Sequence, residues 1–195
     1  KRILANWVST VEVELGGLLQ EQPKLLDRAI TNYEQILFGD TFVDCLSLVE
    51  GTPELLERLS KDYTLTIARG VNPRLLREKI MPKFGIPQVF AQIESVYDVP
   101  DPDKGKPHPY MVEQILAKQH ASPEEAVLVG DARNDVLMAR AAGVTPIVVL
   151  SGHLSEDEAR LLKVPYIIPD VTHIEGVLSS IPQIEGQNKR SSEKL

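Results

Sequence analysis

The most informative stretch of this chain is Val127-Leu128-Val129-Gly130-Asp131-Ala132-Arg133-Asn134-Asp135. Its apolar beginning is typical of a buried strand, and a helix is predicted over Asn134–Ala142, ending at Gly143. Asp131 therefore lies at the carboxyl end of a strand, and Asp135 lies at or just inside a helix start. Two carboxylates placed in this way suit a hard cation such as Mg²⁺, which makes both candidate metal ligands. Alternatively, Asp135 only stabilises the helix N-terminus electrostatically.

Strands and helices alternate along most of the chain on either side of this stretch. The predicted strands are Arg2–Ala5, Tyr63–Ile67, Ala91–Ser95, Ala126–Val129, Pro146–Leu150 and Tyr166–Ile168. Repeated strand–helix units of this length predict a parallel sheet covered by helices on both faces. In such sheets the ligand lies at the carboxyl ends of the strands. The loops after Ala5, Ile67 and Val129 are therefore the candidate site.

Four regions are predicted along the sequence. Residues 1–10 form the first core strand and the loop after it, and residues 11–48 form a helical segment with apolar residues at helical spacing. Residues 49–182 form the main α/β unit, in which Thr52 is predicted to cap a helix that has Pro53 in its first turn. Residues 183–195 are polar and lack periodicity, which predicts a flexible tail.

The composition restricts the classes of function. Hydrophobic residues make up 43% of the 195-residue chain and charged residues 25%, as in ordinary soluble proteins. The net charge of −7 disfavours a broad nucleic-acid-binding surface. Cys45 is the only cysteine, so neither an intrachain disulfide nor a cysteine-based metal site can form. No apolar run reaches the ~18 residues of a membrane span, and the one at the start is too short for a signal peptide. We expect a soluble, cytoplasmic protein without nucleic-acid or membrane partners.

A second candidate site element precedes the predicted helix at Pro109–Lys118. The sequence there is Lys104-Gly105-Lys106-Pro107-His108-Pro109. A lysine held by a following proline can present a fixed positive charge to a phosphoryl oxygen, which makes Lys106 a candidate phosphate-binding residue. The alternative is an ordinary solvated loop lysine, since lysine is mostly exposed.

Together these features resemble the haloacid dehalogenase (HAD) superfamily, in particular its phosphoglycolate phosphatase and β-phosphoglucomutase-like branch. The similarity covers about Lys1 to Leu178, and Val49–Leu59 matches the family's usual link from cap to core. The resemblance implies a doubly wound, mostly parallel, Rossmann-like core with a small helical cap at residues 11–48. It also implies that Lys106 orients the phosphate and the nucleophile, that Asp131 binds Mg²⁺, and that Asp135 binds the metal or supports a ligand.

The first motif departs from the family pattern. Where the family has Asp-x-Asp-Gly-Thr, this chain has Asn6-Trp7-Val8-Ser9-Thr10. The resemblance implies that Asn6 replaces the nucleophilic, metal-binding aspartate, and a neutral amide makes carboxylate-based covalent catalysis unavailable. Val8 replaces the general acid/base and has no proton to transfer, a loss of roughly 10²–10⁴ in rate. Thr10 keeps the family's threonine and is a candidate phosphate-binding residue.

The second motif departs as well. Ala68 stands where the family has a phosphate-binding serine or threonine, and Arg69 follows it; both are candidate substrate-binding positions. Asp131, Asp135 and Lys106 together carry a net charge of −1, which Arg69 would bring to zero. A balanced site has less need of a divalent cation, so we expect Mg²⁺ to be weakly bound or absent. Lys106 is then expected to pair with one of the two aspartates. Arg69 is equally well interpreted as a solvated loop residue.

Three functions are compatible with these residues. The leading hypothesis is a non-catalytic family member, a pseudo-phosphatase that binds a protein partner or a small phosphorylated ligand as a binding or regulatory module. The second is a weak Mg²⁺-dependent hydrolase of small phosphomonoesters. The third is an interaction subunit in which the fold serves only as a scaffold.

Overall fold

The structure is a computed structural model that describes residues 11–181, with side chains from Leu15 onward. The predicted first strand and Asn6, Trp7, Val8, Ser9 and Thr10 lie outside the described residues, as does the predicted tail.

Five strands and nine helices make up the described part of the chain. The strands are β1 Leu65–Arg69, β2 Phe90–Ser95, β3 Val127–Gly130, β4 Thr145–Val149 and β5 Tyr166–Ile168. The helices are α1 Val11–Leu18, α2 Leu26–Leu37, α3 Asp40–Asp44, α4 Thr52–Leu59, α5 (Pro73–Leu75, π-helical Leu76–Ile80 and Met81–Lys83), α6 Tyr110–Gln119, α7 Arg133–Ala141, α8 Glu156–Leu161 and α9 Ile174–Leu178. Short 3₁₀ turns occupy Pro23–Leu25, Val96–Asp98, Pro102–Lys104, Pro123–Glu125 and Val171–His173.

All strand pairs are parallel, as predicted. β1 pairs with β2, with Ile67 opposite Ile93. β4 lies between β3 and β5, with Ile147 opposite Val129 in β3 and Tyr166 in β5. Within residues 11–181, β1 pairs only with β2 and β3 only with β4. The edges of β1 and β3 are therefore free in the described part of the chain.

The core lies on both faces of β4 because successive strand residues point to opposite sides. Ile147 packs in a cluster with Leu55 of α4 and Ile174 of α9. Its neighbour Val148 packs in a different cluster, with Val136 of α7 and Ala159 of α8. Helices on both faces of a parallel sheet confirm the predicted doubly wound α/β class.

The segment 11–48 is mostly helical, as predicted, and its last helix, α3, packs against α5. Val43 is buried against Leu75 and Met81. Lys83 Nζ donates to the Val43 carbonyl at 2.8 Å and to Asp44 Oδ1 at 2.6 Å. By contrast, α2 has no buried residue.

Two local predictions, one at the start of α4 and one just after its end, are wrong. The residue that caps α4 is Gly51, at φ +78°, and Thr52 lies inside the helix with its hydroxyl donating to the Val49 carbonyl at 2.6 Å. The strand predicted to begin at Tyr63 begins two residues later, because the Tyr63 N–H still bonds to the Leu59 carbonyl in the turn that closes α4.

Among residues 11–181, every helix is too short or too polar to span a membrane.

Candidate functional site

The free edges of β1 and β3 border one cleft of about 690 Å³, whose mouth lies at the carboxyl ends of the two strands. Its lining includes Ala68 and Arg69 from the end of β1, and Asp131 from the loop after β3. Lys106 and Asp135 line it as well. The structure therefore brings together every candidate site residue predicted within the described range.

Asp135 organises the loop that follows β3. It is 7% exposed, and its Oδ2 accepts hydrogen bonds from the backbone N–H groups of Asp131 (3.2 Å) and Ala132 (3.1 Å). These N–H groups precede α7 and would otherwise lack partners. A Cβ at Gly130 would lie 2.4 Å from Asp135 Cβ, so a glycine is needed there for this close approach.

Lys106 pairs with the other oxygen of the same carboxylate. Its Nζ lies 2.7 Å from Asp135 Oδ1, and its side chain is 18% exposed. The solvated-lysine alternative is therefore wrong, and the expected pairing with one of the aspartates is found. The peptide bond between Lys106 and Pro107 is cis. An ammonium group has three donors, and the described residues take up one of those of Lys106, leaving two.

Asp131 is held by the loop after β4. Its Oδ2 lies 2.6 Å from His153 Nδ1 and 3.3 Å from the His153 backbone N, and its carbonyl accepts from the Leu154 N–H at 2.9 Å. A Cβ at Gly152 would lie 2.1 Å from Asp131 Oδ2, so that glycine is required for the loop to approach. Partial burial opposes ionisation of Asp131, but the hydrogen bonds and charge of His153 outweigh it and lower the pKa of the carboxyl.

His153 was not among the predicted site residues. The sequence signal that could have found it is topological. β4 neighbours β3 in a parallel sheet, so the loop after Val149 lies at the same edge as Asp131. The Gly152-His153 pair in that loop supplies both the close approach and a polar side chain.

Ala68 and Arg69 differ in their surroundings. Ala68 packs against the apolar cluster that contains Val96 and Met111, and its methyl group offers no hydrogen bond to a ligand. Arg69 is exposed, and among residues 15–181 its guanidinium forms no hydrogen bond or ion pair. The end of β1 therefore presents a cation rather than a hydroxyl group.

The described residues do not by themselves fit Mg²⁺. An octahedral ion needs several oxygen ligands, whereas Asp135 already engages Lys106 and two N–H groups, and one oxygen of Asp131 faces His153. Within residues 15–181, no group of three or more histidine, cysteine, aspartate or glutamate side chains is placed to hold a metal ion. Among the described residues, Asp131 Oδ1 is the one oxygen of these two carboxylates that has no hydrogen bond.

Comparison with known proteins identifies the family. The model of the haloacid dehalogenase-like hydrolase family matches residues 4–143, which include Lys106, Asp131 and Asp135. The chain belongs to this family. The predicted HAD resemblance is therefore confirmed.

Two curated relatives illustrate the range of activities among similar HAD proteins. A phosphoglycolate phosphatase of Haemophilus influenzae (strain 86-028NP) is 25% identical over 152 residues, which cover 77% of this chain and 65% of the relative. This chain thus spans less than two thirds of that relative's length. The ribonucleotide monophosphatase NagD of Escherichia coli (strain K12) is 39% identical over 74 residues, covering 36% of this chain and 30% of the relative.

Solved structures support the same fold. A haloacid dehalogenase-like family hydrolase from Streptococcus pneumoniae superposes with a TM-score of 0.68 at 19% identity, covering 87% of this chain and 76% of the other. At this identity the likeness establishes the HAD fold alone.

Proposed function

We propose that this chain is a non-catalytic member of the HAD hydrolases, which binds a phosphomonoester group at the mouth of this cleft, at the carboxyl ends of β1 and β3, without hydrolysing it. The observation that carries the proposal is that both carboxylates at this end of the cleft already have partners. Asp135 is tied to Lys106, and Asp131 is tied to His153. Both oxygens of Asp135 and one oxygen of Asp131 are therefore engaged in hydrogen bonds, which disfavours a metal-dependent reaction at this site.

Residues 1–10 enter the proposal through their sequence. We infer that they supply the core strand between β1 and β3, where both strand edges are free in the described residues. This places Asn6 at the same carboxyl edge as Lys106. An amide at the nucleophile position and Val8 at the acid/base position then leave the site without covalent or proton-transfer chemistry. In this proposal, residues 11–48 form the cap and residues 49–182 form the core.

The site retains cationic groups that can bind a phosphate, although it lacks the groups needed to hydrolyse one. Lys106 keeps two donors free for a ligand, and Arg69 adds a guanidinium suited to bidentate contact with a phosphate. A module that recognises a phosphorylated small molecule, or presents the bound state to a protein partner, would use these groups.

A second candidate function is Mg²⁺-dependent hydrolysis of a small phosphomonoester. It is favoured by the convergence of Lys106, Asp131 and Asp135 on one cleft, and by relatives that are named as phosphatases. In that case Asp131 would hold the metal and Lys106 would orient the phosphate.

A steady-state assay separates the two. The purified protein is incubated with Mg²⁺ and either phosphoglycolate or a ribonucleoside monophosphate, and inorganic phosphate release is compared with that of a boiled sample and an Asp131→Asn variant. Background release is expected. Release well above the boiled sample that disappears in Asp131→Asn would establish the phosphohydrolase instead.

A further inference from the structure

We propose that the mouth of the cleft, at the carboxyl ends of β1 and β3, binds the phosphate group of its ligand through Arg69 and Lys106, without a divalent cation. The inference rests on the proposed function and specifies how this site holds its anion. It follows from the finding that the described carboxylates do not provide the oxygen ligands that Mg²⁺ requires.

The position of Arg69 supports this role. It is the last residue of β1, in register with Ser95 of β2, and it lines the same cleft as Lys106. Two carboxylates line the same end of the cleft, yet neither Asp131 nor Asp135 pairs with Arg69 in the described structure. A guanidinium at the mouth of a cleft, unpaired among residues 15–181, is available to an incoming anion.

The charges at this end of the cleft balance. Asp131 and Asp135 contribute −2, and Lys106 and Arg69 contribute +2. Glu125 also lines the cleft but lies at its other end, before β3 begins, six residues and roughly 20 Å along the strand direction from Asp131. Without a ligand, these four side chains therefore have no net charge, so no metal ion is needed to offset an excess of carboxylates. An incoming phosphate group then meets two cationic side chains.

A divalent cation would disturb rather than complete this arrangement. To bind both oxygens of Asp135 it must displace Lys106 or the backbone N–H groups of the loop after β3. To use the engaged oxygen of Asp131 it must displace His153. Each replacement removes a hydrogen bond that the protein already makes.

Equilibrium dialysis with radiolabelled inorganic phosphate tests the proposal. Binding is measured in the presence of EDTA and in excess Mg²⁺, for the wild type, Arg69→Gln, Arg69→Lys and Arg74→Gln. Arg74 is the matched control, because it is an exposed arginine just beyond β1 that pairs with Glu78 and does not line the cleft. Thermal unfolding of each variant verifies folding.

Phosphate is expected to bind equally with EDTA and with Mg²⁺. Arg69→Gln should weaken binding by about tenfold or more, as for the loss of a charge-assisted hydrogen bond, Arg69→Lys should weaken it less, and Arg74→Gln should leave it unchanged. Binding that requires Mg²⁺, or that survives in Arg69→Gln, overturns this inference while leaving phosphate recognition intact. Absence of binding under both conditions overturns the proposed function as well.

Discussion

Lys106 Nζ and Asp135 Oδ1 lie 2.7 Å apart, with side chains 18% and 10% exposed. The pair joins the loop before α6 to the first turn of α7, across 29 positions of sequence. It fixes the lysine at the mouth of the cleft and at the same time neutralises one of the two carboxylates there. The geometry of the site and its charge balance thus depend on one contact.

Removal of Asp135 should be costly. Asp135→Ala leaves two backbone N–H groups and a mostly buried ammonium without their acceptor, so we expect a loss of about 3 kcal/mol in the free energy of unfolding. Urea denaturation measures it. Glu175→Gln, which breaks the exposed pair with Arg58, is the control and should have only a small effect. Equal losses in the two variants would show that the Lys106–Asp135 pair is structurally unimportant.

Gly130 is predicted to tolerate no side chain. In Gly130→Ala the new Cβ would lie 2.4 Å from Asp135 Cβ and 2.7 Å from its Cγ, so the loop after β3 must move. The cost of such overpacking is about 1–3 kcal/mol, measured as a lower urea midpoint. Gly176→Ala is the matched control: Gly176 lies in α9 with nothing within 4 Å of the added Cβ, and the change should be slightly stabilising. Indistinguishable midpoints for the two variants would refute this steric account.

The free energy of unfolding at acidic pH should depend on the ionisation of Asp131. Its folded-state pKa is lowered below the ordinary value of about 4, mainly by His153 acting against burial. A carboxyl with a lowered pKa stabilises the fold above its unfolded pKa, and this contribution is lost as the pH falls through the folded value. The wild type should therefore exceed Asp131→Asn in unfolding free energy at pH 6, and the difference should shrink below about pH 4.

Urea denaturation between pH 6 and about pH 3 measures this difference. The control is Asp62→Asn, since the Asp62 side chain is exposed and forms no hydrogen bond or ion pair within residues 15–181. A gap between wild type and Asp131→Asn that stays constant across the range would mean that the Asp131–His153 contact does not stabilise the charged form.

The fold was predictable because its signals are local. The apolar run at Val127 and the aspartate that follows it specify a strand and its carboxyl end, and Gly143 at φ +74° ends α7 as predicted. Asn72 caps the helix after β1, with its Oδ1 accepting from the Arg74 N–H at 2.9 Å. Each of these features depends on a few neighbouring residues, so the sequence alone contains them.

The partners of the site residues were harder to predict. The contact between His153 and Asp131 joins residues 22 positions apart, and only the order of β3 and β4 in the sheet brings them together. The choice of Asp135 over Asp131 as the partner of Lys106 likewise depends on tertiary geometry. The roles of Asn6 and Val8 remain predictions, because both lie outside the described residues.

Restoring the nucleophile alone should not restore hydrolysis. In Asn6→Asp, Val8 still provides no acid for the leaving group, a cost of roughly 3–5 kcal/mol on the barrier. Ala68 still lacks the hydroxyl of the phosphate cradle. We expect measurable turnover only when Val8→Asp and Ala68→Thr are added, assayed with Mg²⁺ against a small phosphomonoester. Robust steady-state hydrolysis by the single variant would show that only one residue of the site was altered.

The central claim is that the mouth of the cleft binds a phosphomonoester and leaves it intact, and a ³¹P NMR experiment addresses both parts at once. Phosphoglycolate is mixed with a stoichiometric amount of the protein and Mg²⁺, and spectra are recorded over a day, with Arg69→Gln as the binding control. The account predicts a broadened or displaced phosphoglycolate resonance that recovers in Arg69→Gln, and no growth of an inorganic phosphate signal beyond that of a boiled sample. A steadily growing inorganic phosphate signal would contradict it.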